Sequence, residues 1–174
     1  LSLEVADDPG AKSDLLQLRA LCDAAQSQAF VPLTAPQISD QRTPRLVLQL
    51  GSIIQSVADL AVTEDVLTLK DLRPQSAWDR FGRYIRFSDE KGVGAWFGVR
   101  HDLWRQHGTT PLWLFFYPGE FSRALEVRSL LEPWAARVGV FSDFENGEFS
   151  IALDLVVGEE SDLVVRSVVD RLKE

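Results

Sequence analysis

The stretch Arg83–Tyr117, RYIRFSDEKGVGAWFGVRHDLWRQHGTTPLWLFFY, decides the fold. Arg83 to Ser88 reads as a strand, Asp89-Glu90-Lys91-Gly92 as a hairpin turn and Gly94 to Arg100 as the returning strand, so antiparallel pairing of neighbours follows. His101 to His107 has the length of two helical turns and stops at Gly108, a residue suited to the left-handed position after a helix. Pro111 to Tyr117 is then a strand apolar on both faces, which belongs inside a sheet.

Outward from that stretch, residues 45–62 predict a core helix. Leu46, Val47, Leu50, Ile53, Ile54, Val57, Ala58 and Ala61 form one broad stripe, with Gln49, Ser52, Gln55 and Asp59 opposite and Gly51 expected at a close-packing point. Toward the C-terminus, Glu120 to Arg137 predicts a helix that Pro133 frays or kinks. Strands follow at 138–143 and 148–157 around Glu145-Asn146-Gly147, and a Val-rich helix starts at Ser161 or Asp162. The order αβββαββα with a short helical insert is that of an α+β domain, a five-stranded, mainly antiparallel sheet with helices packed on it.

Ahead of this body, residues 14–29 predict a narrow, Ala-rich amphipathic helix carrying Leu15, Leu18, Leu21 and Cys22, the last expected as a small core residue. Pro32, Pro36 and Pro44 mark residues 31–44 as a linker, because fixed φ angles and missing amide donors oppose regular structure. The expected division is an N-terminal helical arm with linker over 1–44 and the α+β domain over 45–174.

Composition restricts function. A single Cys in 174 residues makes no internal bridge, and the N-terminus lacks the order of a secretion signal. No apolar run is read as a bilayer span, so a cytoplasmic domain without membrane partners is expected. The absence of Met implies a piece of a longer product, with activity partly outside it.

The net charge of −8 repels nucleic acid at long range, yet residues 70–105 carry eight basic and five acidic groups. A nucleic-acid or acidic-protein contact therefore rests on Lys70, Arg73, Arg80, Arg83, Arg86, Lys91, Arg100 and Arg105. Aromatics interleave with these cations: Trp113, Phe115 and Tyr117 share one face of their strand, Trp96 shares a face with Arg100, and Trp104 beside Arg105 is expected near the surface. Arg83, Arg86, Trp96, Arg100, Trp104 and Arg105 are the candidate binding residues.

Chemistry is harder to place. His101 and His107, six apart on a helix, point about 240° apart and cannot share a metal. Asp79 with Asp89-Glu90-Lys91 spells the acid, acid, Lys pattern of a metal-dependent nuclease, but on a hairpin tip where nothing excludes water. Phosphate-loop, nucleophile-elbow, zinc and dinucleotide signatures are absent, so no catalytic residue, metal or cofactor is expected.

The stretch Gly94–Tyr117, GAWFGVRHDLWRQHGTTPLWLFFY, with the closing hairpin and Val-rich helix, resembles the C-terminal part of uncharacterised bacterial and phage proteins related to PD-(D/E)xK nucleases, over residues 46–174. In that family the catalytic acids and Lys lie in the preceding domain, and no matching set exists here. The resemblance implies a non-catalytic accessory or recognition domain, nuclease-associated, binding nucleic acid or protein through its basic aromatic surface or contacting the rest of its own chain. The element order is also similar to type III secretion chaperones, from which the Trp104 helix and the Pro-rich arm depart. That likeness implies an alternative, an acidic chaperone- or inhibitor-like module using Glu145, Glu148, Glu159 and Glu160 against a basic partner.

Overall fold

The computed structural model describes residues 9–28, 32–88, 92–117, 123–138, 141–143 and 147–173. It divides into two compact units, Leu1–Gln41 and Arg42–Glu174. In the first, α1 (Pro9–Gln28) carries Leu15, Leu18 and Leu21 exposed, and Cys22 is exposed too, against its expected place in a core. A short helix, α2 (Ala35–Ser39), lies where a linker was expected. Pro36 is tolerated there because first-turn amides have no intrahelical acceptor, and the Gln37 side chain accepts from the Thr34 amide at 2.9 Å. Pro44 sits in the first turn of α3 (Arg42–Thr63) for the same reason.

The second unit is α+β. After α3 come β1 (Leu67–Thr68), β2 (Pro74–Ala77), β3 (Arg80–Phe87), β4 (Gly94–Arg100), α4 (His101–His107) and β5 (Leu112–Phe116), then α5 (Ala124–Val138), β6 (Phe141–Asp143), β7 (Phe149–Leu153) and α6 (Ser161–Lys173). The sheet is open and antiparallel in the order β1-β3-β4-β5-β7-β6, with β2 also paired to β3. The five expected strands are all present. β1 and β2 are additional, lying along the outer side of β3 at its end and its start. The turn expected at 89–92 and the one around 145–147 fall mostly on residues 89–91 and 144–146, outside the described residues, as do residues 118–122 before α5.

Alternation in the strands separates two faces. Ile85, Ala95, Phe97, Val99, Leu112, Leu114, Phe116, Ile151 and Leu153 bury one face beneath Leu50, Ile54, Val57 and Ala61 of α3 and Val165, Val168 and Val169 of α6. The upper part of the α3 stripe is not core, since Leu46 and Val47 are exposed. Gly51 is not a packing point either: a Cβ built there meets nothing within 4 Å. By length and composition α3 is apolar enough to cross a membrane, correcting the expectation that no run was. Its buried residues pack in the core cluster shared with the sheet and α6.

Candidate functional site

The opposite face of the sheet carries Tyr84, Trp96, Trp113 and Phe115. In register across the strands, Tyr84 opposes Trp96, Trp96 opposes Phe115, and Gly98 opposes Trp113. Trp96, Leu103, Trp113 and Phe115 form a second buried cluster flanked by Tyr84 and Tyr117. Trp96 is sunk into this face because Gly82 and Gly98 stand directly opposite each other beside it. A Cβ on either would lie 2.8 Å from the indole ring. Trp113 donates from Nε1 to the Thr110 carbonyl at 3.1 Å and packs against His107, ring centres 5.3 Å apart. The register agrees with the sequence reading that Trp113 shares a strand face with Phe115 and Trp96 one with Arg100, and it brings both pairs onto the same face of the sheet. Burial, however, removes Trp96 from any surface on which it could stack against a partner.

Arg100 is likewise engaged internally. Its Nε donates to Asp102 Oδ1 at 2.9 Å, its Nη2 to Oδ2 at 2.6 Å, and its guanidinium lies 4.5 Å over the Phe115 ring centre. Burial works to raise the Asp102 carboxyl, but the hydrogen bonds and charge of Arg100 outweigh it and hold the group below the usual carboxylate range. Burial likewise pulls Arg100 down, and the Asp102 pair more than offsets it, raising the guanidinium. Nearby, Arg80 donates from Nη1 to Tyr117 Oη at 3.2 Å, while burial keeps that phenol raised against the opposing cations Arg80 and Arg100.

The candidate residues therefore occupy different places. Arg86 is exposed near the far end of β3, with its stem 3.6 Å from where a Gly92 Cβ would stand. Arg83 points to the α3 side, 8% exposed, with its Nη1 donating to Gln55 Oε1 at 3.2 Å. Trp104 is half-buried against the main core, and Arg105 beside it is exposed. Charge and spacing alone assign all of these to one surface; strand alternation and helix phase divide them.

One end of the sheet presents an exposed tryptophan. The pairing of Ala77 with Arg80 makes Trp78-Asp79 a two-residue hairpin turn, and Trp78 is 94% exposed. The turn is anchored, because the His101 amide donates to the Asp79 carbonyl at 2.9 Å and Phe81 packs against the His101 ring, centres 5.7 Å apart. Arg80 opposes Arg100 at the same end, and β4 runs straight into α4, which carries Arg105.

Two recesses lie elsewhere in this unit. One of about 540 Å³ has an apolar floor of Leu114, Phe116, Ile151 and Leu153 and a rim that includes Glu64, Arg171 and Lys173. At that rim Glu64 pairs with Arg166 and with Lys173, the latter at 2.8 Å. The hydrogen bonds from Lys173 and Arg166 hold its carboxyl below the ordinary value. The other recess, of about 310 Å³, lies between α3 and the β2–β3 hairpin. Neither is legible in sequence, since each is lined from several separated elements. Among the described residues, no three His, Cys, Asp or Glu side chains gather as metal ligands. Asp89-Glu90-Lys91 and Glu145 lie outside the described residues; Glu148 is half-buried, and Glu159 and Glu160 are exposed ahead of α6. Compared with protein-family models, curated proteins and solved structures, the chain matches none.

Proposed function

We propose that this chain is a non-catalytic recognition module that docks a protein partner through the Trp78 end of its sheet. The observation that carries the reading is an almost wholly exposed tryptophan on an anchored hairpin turn. Leaving an indole in water forgoes roughly 1.5–3 kcal/mol of burial. Held on a short turn whose backbone is already anchored, it is the kind of residue that fills a partner's pocket. Arg105 and His101, exposed at the same end, supply a polar rim.

A protein partner is favoured over nucleic acid by the fate of the cations. Arg83 and Arg100 are buried, and the chain carries −8 overall. The aromatics that would stack on bases, Trp96 and Trp113, are buried as well. Parallel affinity capture with the wild-type chain and a Trp78→Ala variant, with and without nuclease treatment, tests this. The partner should be retained by wild type in both conditions and lost from the variant, whose own stability should change by less than about 0.5 kcal/mol. Retention by the variant, or release on nuclease treatment, refutes the reading.

A further inference from the structure

We propose that the recess between α3 and the β2–β3 hairpin is a binding site for a small oxyanion, the carboxylate or phosphate group of a ligand, anchored by Arg83. Two similarly buried arginines differ in their partners. Arg100 has a carboxylate gripping both arms of its guanidinium. Arg83 has none: its hydrogen bond among the described residues is from Nη1 to the neutral amide oxygen of Gln55, and its Nε is buried without a partner. Arginine keeps its proton throughout the accessible pH range, so a buried guanidinium stays charged and demands an acceptor. With Nε enclosed and Nη1 on Gln55, Nη2 is the arm left to meet an oxygen of a carboxylate or phosphate.

The surroundings fit that demand. Gln55 donates from Nε2 to Asp59 Oδ1 at 2.8 Å, which fixes its amide with the oxygen toward Arg83 and the Asp59 carboxylate on the far side of that amide. The recess, about 310 Å³, is also lined by Ser76 and Gln75, and the Gln75 Oε1 is buried without a partner. With that oxygen enclosed, Nε2 is the end of the amide left to donate to a bound anion. Gly51 lines the helical wall, and a Cβ there would meet nothing within 4 Å, so the recess reaches the helix backbone. A volume at the low end of ligand sites suits a small acid or a phosphate monoester. This site lies along the stem of the hairpin whose tip is Trp78, but it does not depend on the docking proposal.

Titration of the chain with inorganic phosphate and, separately, with succinate at matched ionic strength tests the site by calorimetry. Saturable binding of either anion is expected, phosphate alone marking a phosphorylated ligand and succinate alone a carboxylic acid. Arg83→Gln should weaken it by about tenfold or more. Gly51→Leu keeps the cation but projects a side chain into the recess, and should weaken binding comparably even if Arg83→Gln does not fold. Absence of saturation by both anions, or affinity retained in the folded variants, overturns the proposal.

Discussion

Replacing Gly98 with alanine places a methyl group in space that the neighbouring strand already occupies. The added Cβ would stand 2.4 Å from the Phe81 carbonyl oxygen, 2.5 Å from Gly82 Cα and 2.8 Å from the Trp96 ring. Ordinary carbon contacts begin near 3.5 Å, so each must open by roughly 0.7–1 Å. Two of the three atoms belong to backbone held in the β3–β4 ladder, where no side-chain rotation gives relief. Overpacking in such a site costs about 1–3 kcal/mol or more, while removing a glycine's freedom in the unfolded chain returns about 0.4–1 kcal/mol. A net loss of roughly 2 kcal/mol follows, or a melting midpoint about 6–8 °C lower for a unit of this size. Gly51→Ala is the matched comparison: open space around the Cβ and a helical position predict a gain of about 1 kcal/mol. Thermal and urea unfolding followed by circular dichroism read both signs. A Gly98→Ala midpoint within error of wild type would show that the strands are not this close, and the placement of Trp96 would fall with it.

Three further substitutions probe the charged groups and the buried hydroxyl. Asp102→Asn should destabilise by roughly 2 kcal/mol in urea unfolding, below the 3–5 of a wholly buried pair because Asp102 is 40% exposed. Glu64→Gln should flatten the acid limb of stability. Its carboxyl binds a proton less tightly in the folded chain than unfolded, so the contribution is present above the ordinary glutamate range and lost as pH falls through the lower folded value. Melting midpoints between about pH 5 and pH 2 should therefore fall less steeply in the variant than in wild type. Thr110→Val should cost about 1–2 kcal/mol in the same unfolding assay, because the buried hydroxyl donates to the Leu153 carbonyl at 2.7 Å and accepts from the Leu112 amide.

Some of what sequence reading missed had a local signal. Thr34 followed three residues later by Gln37 is a capping-box spacing, enough to start α2 inside a Pro-rich segment. β2, spelled Pro-Gln-Ser-Ala, had none: such residues form a strand only because β3 offers them an edge, where a missing proline amide costs little.

From periodicity and turn residues came the α+β class, β4, the α4 helix ending at a left-handed Gly108 and the αβββαββα order, because apolar stripes, alternation and turn chemistry are written in spacings of a few positions. Which arginine is satisfied and which is not, and whether a tryptophan lies in the core or in water, depended on partners far along the chain. Arg100 finds its acid two residues away, Arg83 reaches a glutamine on α3, and Trp96 sinks only because two glycines from different strands meet beneath it. Such pairings are set by register and by which sheet face a helix covers, and both exist only once the strands have assembled.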